Sequence, residues 1–198
     1  MSLDTQVISS ISKEEGQFLL NLARKSIEHY LKNRQILFLD ESQIPYENLK
    51  KKGASFVTLE TKNGTLRGCI GSIIPHRPLY EDVIHNAVSA AVSDPRFYPL
   101  TIEELPFIKI KVSVLTYPQP LHYTDWQDLL NKLKPFEDGV IIKYKNHSAT
   151  FLPDVWEDLP NKEEFLSHLC LKAGLPANFW KTGLLEVYTY KTISFQEE

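Results

Sequence analysis

From Phe107 to Thr116 the chain alternates strictly, with Ile108, Ile110, Val112 and Val114 on one side of an extended backbone and Lys109, Lys111 and Ser113 on the other. Such a strand is half buried and belongs to an antiparallel sheet with one solvated face. Its apolar face needs a cover, and the preceding sequence offers one. Leu79, Val83, Ile84, Ala87, Val88, Ala91 and Val92 recur at helical spacing behind Pro78, with Glu81 and Asp82 in the first turn, where the helix dipole favours acids. Asp94-Pro95 stops this helix. Another amphipathic helix opens at Ser12, with Glu15 completing a capping box, and carries Phe18, Leu19, Leu22, Ala23, Ile27, Tyr30 and Leu31.

Between the two helices, Ala54 to Glu60 and Leu66 to Ile74 are rich in β-formers and flank Asn63-Gly64, the dipeptide suited to a two-residue hairpin. The Lys50-Lys51-Lys52 run before it reads as a solvated turn, and Thr101 with Glu104 predicts a short helical turn ahead of Pro106. Pro118 and Pro120 mark a boundary between lobes. Beyond it the pattern predicts a short helix from Asp125 to Leu133, strands at Gly139 to Lys143 and Ser148 to Leu152 turning about Asn146, and a helix capped by Asn161 and closed by Gly174. A last strand is expected from Leu184 to Phe195, pairing with the earlier ones. The fold class is α+β.

A chain of 198 residues with 42% hydrophobic residues buries a core without disulfide or metal staples. Its formal charge of −3 gives no net attraction to nucleic acid or anionic lipid, which makes nucleic-acid binding the least favoured function class. Asp4 stands where a secretory leader would carry positive charge, and no run of apolar residues is long enough to span a bilayer. Cys69 and Cys170 form no C-x-x-C pair, which argues against a disulfide framework or zinc knuckle. The expected location is the cytoplasm.

Arg67-Gly68-Cys69-Ile70-Gly71 on the second hairpin strand is the stretch with chemical interest. Period two puts Arg67, Cys69 and Gly71 on one face and Gly68 and Ile70 on the other. A cation beside a thiol favours the thiolate, and the glycines admit a ligand or another backbone. Cys69 is therefore a candidate nucleophile, redox thiol or thiol ligand; the opposing reading is a small buried hydrophobe with glycines that serve packing. No histidine lies near Cys69 in sequence to act as its base. Asp94, Arg96 and Phe97 form a proline turn that either recognises a polar substrate or fixes the helix end by an ion pair. His76 and His85 have no third partner at metal spacing, so no metal site is expected. Cys170 lies on an apolar helix stripe, and Trp126, Trp156 and Trp180 fit the core of the second lobe. Phosphate-loop, dinucleotide, nucleophile-elbow and zincin motifs are absent.

Leu66-Arg67-Gly68-Cys69-Ile70-Gly71 resembles the signature of the AMMECR domain family, called AmmeMemoRadiSam system protein A in prokaryotes. Further stretches are similar to that family: Gly53 to Thr58, Ala90 to Phe97, Val112 to Leu115, Ala149 to Trp156 and Lys172 to Leu175, so the likeness runs from about Ile11 to Phe195. Lys111 and Asp154 stand where that family tends to carry an acid and a glutamine, and no role is carried over to either. The resemblance implies a large subdomain built from both termini, residues 1–118 with 182–198, around an antiparallel sheet, a smaller α+β subdomain at 119–181, and a cleft between them faced by the signature. It also implies association with a Memo-family protein and a radical SAM enzyme in a modification pathway. No cofactor is implied, and whether the protein is an enzyme stays open. On this reading Cys69 is the candidate catalytic residue, and Arg67, Gly68, Ile70, Gly71, Asp94, Arg96 and Phe97 bind a protein or small-molecule substrate. The alternative is a non-catalytic protein-binding scaffold.

Overall fold

The computed structural model describes residues 7–198, so Asp4 and the reading made from it lie outside the described residues. In chain order the elements are α1 (Lys13–Asn33), β1 (Ala54–Thr61), β2 (Leu66–Gly71), α2 (Leu79–Val92), β3 (Ile108–Leu115), β4 (Gln119–Pro120), α3 (Trp126–Lys132), β5 (Gly139–Tyr144), β6 (His147–Phe151), α4 (Lys162–Lys172), β7 (Glu186–Tyr190) and β8 (Thr192–Gln196). They form two units, the chain up to Tyr117 with Ile193–Glu198, and Pro118–Thr192. Among the described residues no helix is long and apolar enough to cross a membrane.

The first unit is a sheet of order β2-β1-β3-β8, with β1 antiparallel to both β2 and β3. Val57 and Leu59 of β1 and Ile108, Ile110, Val112 and Val114 of β3 point to one side, where they are buried against α1 and α2. That is the covered face that the alternation of β3 demands. Ser12 caps α1 with the predicted box, its side chain accepting from the Glu15 N–H while Glu15 accepts from the Ser12 N–H. At the other end of the chain Glu197 accepts two guanidinium bonds from Arg24, each 2.7 Å, and the Ile110 N–H at 2.8 Å, which pins the C-terminal segment to this unit.

Three local expectations need correction. The hairpin loop is three residues, not two: Thr61 and Thr65 close it, the Gly64 N–H donates to the Thr61 carbonyl, and Gly64 takes φ +87, the left-handed position that follows a type I turn. The segment around Lys50-Lys51-Lys52 is more than a solvated turn. Short 3-10 helices at Glu41–Gln43 and Glu47–Lys50 bury Ile44 and Leu49 beside them or within them, and the carbonyls of Lys51 and Lys52 accept from Leu79 and Ile8. The helical turn after Thr101 continues through Pro106 as a 3-10 helix at Leu105–Phe107, because proline is tolerated in a first turn.

The second unit is a sheet of order β4-β7-β5-β6 whose Val140, Ile142 and Val187 pack with α3 and α4. Its core contains Trp156, stacked on Phe165 at 3.6 Å, and Trp180, edge-on to Trp126 at 5.7 Å. Cys170 is fully buried there. The strand expected from Leu184 to Phe195 is two strands in two sheets: β7 lies between β4 and β5, the strand is interrupted at Lys191, and β8 pairs with β3. Residues 184–192 therefore stay with the second unit. Alternation reports which side of a strand is buried, not which sheet receives it.

Candidate functional site

β2 is the edge strand of the first sheet, and its Gly68, Cys69, Ile70 and Gly71 pair with Leu59, Thr58, Val57 and Phe56. Gly68 and Ile70 face the helices. A Cβ at Gly68 would sit on the carbonyl oxygen of Ala90, so glycine there lets α2 approach the strand backbone, and Ile70 packs against the core. Cys69 and Gly71 take the opposite face, where the Phe56 ring covers the space a side chain at Gly71 would need. The pairing register steps from Leu59–Gly68 to Glu60–Leu66 and skips Arg67. Period two thus holds from Gly68 to Gly71 and not through Arg67, because a bulge re-aims the side chain it carries.

Cys69 is partly exposed, with Sγ 3.3 Å from Thr58 Oγ1. Thr58 is flanked in register by Cys69 on β2 and Lys111 on β3, so a thiol, a hydroxyl and an ammonium group share one row across the half-buried face opposite the helices. No disulfide joins Cys69 and Cys170. Burial raises the Cys170 thiol pKa above its ordinary value.

The main chain of Cys69 is gripped from the turn after α2. Asp94 Oδ2 accepts its N–H at 2.9 Å, and Arg96 Nη2 approaches its carbonyl at 3.4 Å. Asp94 and Arg96 are joined at 2.8 Å and 3.0 Å, and the Asp94 carboxylate is nearly inaccessible. Together they occupy the positions a neighbouring strand would take, which closes this part of an exposed sheet edge. The Arg96 guanidinium holds the Asp94 carboxyl well below the usual carboxylate range, against the opposing effect of burial and with help from the Cys69 N–H. Asp94 in turn raises Arg96. Of the two sequence readings of this turn, the structure places the ion pair: it fixes the helix end and holds the main chain of the signature strand.

Arg67 donates from Nε and Nη2 to Glu104 at 3.1 Å and 3.4 Å. The Phe97 ring lies 6.0 Å from the Arg67 guanidinium carbon and 5.4 Å from that of Arg96, so one aromatic ring addresses two cations. Beyond the end of β2, the fully buried Asp82 accepts from the Ser55 N–H and hydroxyl, the Ser72 hydroxyl, Arg77 and Asn86. This network ties β1, the exit of β2 and α2 together. Sequence reasoning placed Asp82 only as a helix-start acid and missed Thr58, Ser55, Ser72 and Asn86, which come together only in the folded sheet. His85 is lowered by burial and by Arg77, and the His76 ring lies 3.1 Å from the Ile74 carbonyl. Among the described residues no three His, Cys, Asp or Glu side chains group as a metal would require.

The sequence profile of the AMMECR1 family matches residues 20–195. A protein from Thermofilum pendens is 40% identical over 197 residues, covering 94% of this chain and 92% of its own length. The Methanopyrus kandleri protein MK0488 is 40% identical over 195 residues, covering 95% and 91%. The crystal structure of the uncharacterised protein PH0010 from Pyrococcus horikoshii superposes with a TM-score of 0.88 at 38% identity, over 95% of this chain and 94% of that one. The chain belongs to the AMMECR1 family.

Proposed function

We propose that this protein binds a protein or small-molecule substrate at Cys69, on the face of its first sheet opposite the helices, and acts with Memo-like and radical SAM partners in a cytoplasmic modification pathway. The observation that carries the site is a partly exposed cysteine on a backbone clamped by Asp94 and Arg96, beside the Thr58 hydroxyl and in line with Lys111. A rigidly held group with its neighbours already in place is what a reactive thiol or a thiol ligand needs. The partners are supported by the family likeness alone. Genetic complementation with Cys69→Ser tests the thiol: loss of function supports it, and full function removes it. An affinity measurement against the Memo-like partner tests the association, and absence of binding contradicts it.

A scaffold reading has one observation in its favour. Tyr98, 90% exposed, and Phe107, 68% exposed, lie close in sequence to Phe97 and Glu104, which contact the signature arginine. Exposed aromatic rings are common anchors of protein interfaces. If Tyr98→Ser abolishes partner binding while Cys69→Ser leaves binding and function intact, the scaffold reading replaces the thiol reading.

A further inference from the structure

Arg67 is 16% exposed, and its third nitrogen, Nη1, is buried with no hydrogen-bond partner. A guanidinium offers five N–H donors in a planar fork, and Glu104 occupies only the edge formed by Nε and Nη2. The Phe97 ring attracts the cation but supplies no lone pair. Leaving a buried donor of a charged group unmet is unfavourable, and such a group calls for a partner such as a water, an ion or a ligand. Arg67 also lines a cavity of about 450 Å³ with Glu104, Phe107, Ile108 and Lys62. Phe107 leaves 68% of its surface exposed beside it. The charges lining the cavity are Lys62, Arg67 and Glu104, an excess of one positive charge.

We infer that this cavity takes a carboxylate adjoining an apolar group, either a small amphipathic acid or the C-terminal residue of a peptide. The inference rests on the reading of the signature strand as a binding surface and names the chemistry of its ligand. The carboxylate meets the Nη1 and Nη2 edge of Arg67 in the bidentate geometry that guanidinium favours, while the apolar group lies against Phe107 and Ile108. Glu104 must yield, since its carboxylate would repel the incoming one, and the side chains that bury Nη1 must shift as well, because that nitrogen has no accessible surface until they do. Glu104 is 42% exposed, its second contact to Arg67 is a long 3.4 Å, and the Thr101 hydroxyl lies 3.4 Å from the same oxygen.

The test is an NMR titration of the full chain with N-acetyl-phenylalanine and with its amide, followed at Arg67 and Phe107, and repeated with a short peptide ending in phenylalanine as the free acid or the amide. Acid-selective shifts at these two residues are expected. Phe107→Ser should weaken the acid by about tenfold, and Glu104→Gln should tighten it by removing the competing charge. Stronger binding of the peptide acid than of the single residue assigns the site to a chain terminus, and equal binding to a small acid. Equal shifts with acid and amide, no shifts, or acid binding that survives Phe107→Ser overturns the inference. None of these outcomes bears on Cys69, so a failure here leaves the thiol reading standing, and a failure of the thiol reading is seen separately in the Cys69→Ser complementation.

Discussion

Asp94 Oδ2 accepts the backbone N–H of Cys69 at 2.9 Å, so the turn after α2 holds the middle of the edge strand β2. The same carboxylate is paired to Arg96, and this double engagement is what keeps it ionised.

Asp94→Ala should therefore destabilise the first unit by about 1.5–3 kcal/mol, the range for a lost hydrogen bond to a charged group. The effect has a definite pH dependence. Asp94 is depressed in the folded state relative to an unfolded aspartate at about 3.9, so its contribution is present in full above about pH 4 and is lost as pH falls toward the folded value. Thermal unfolding at stepped pH should show the gap between wild type and Asp94→Asn constant near neutrality and narrowing below about pH 4. A gap independent of pH would contradict this account.

Gly68→Ala places a methyl group on the Ala90 carbonyl oxygen of α2, a backbone atom that cannot rotate away. The expected loss is at least the 1–3 kcal/mol typical of overpacking, on the order of 3 kcal/mol. Gly64→Ala meets no atom within 4 Å but is held at φ +87, so its loss is smaller, about 1 kcal/mol. Chemical denaturation that ranked the two in the opposite order would show that α2 does not press on the signature strand.

Asp82→Ala strands Arg77 and the donors of Ser55, Ser72 and Asn86, and should lower stability by about 3 kcal/mol, at the low end for a broken buried ion pair because Arg77 is 25% exposed. Ser72→Ala removes the hydroxyl that donates to Asp82 and accepts from Asn86, and should lower stability by about 1–2 kcal/mol. Hydrogen exchange at Gly71 and Ser72 should rise in both variants. Unchanged exchange would mean that the network does not anchor the exit of β2.

The two helices of the first unit and its central strands were legible because their patterns are local: Ser12 with Glu15, Pro78 before an apolar stripe, and the alternation of β3. The motif carrying Cys69 was legible as a strand, including the opposed faces of Gly68 and Cys69. What escaped depends on long-range pairing. Arg67 looked like a neighbour of Cys69 on one face, yet a bulge sends its guanidinium to Glu104, 37 residues away. Thr58 and Lys111 join Cys69 only through strand register, and the last strand divides between sheets that alternation cannot tell apart.

The most direct test of the central claim is alkylation of the folded protein with iodoacetamide, read residue by residue by mass spectrometry. Cys69 is partly exposed on the face of the sheet opposite the helices, whereas Cys170 is fully buried in the second core. The account predicts that Cys69 reacts in the native state while Cys170 reacts only through unfolding, slower by several orders of magnitude. If Cys69 is protected as strongly as Cys170 and becomes reactive only on denaturation, the thiol is a packing group and this face of the sheet is not where the protein works.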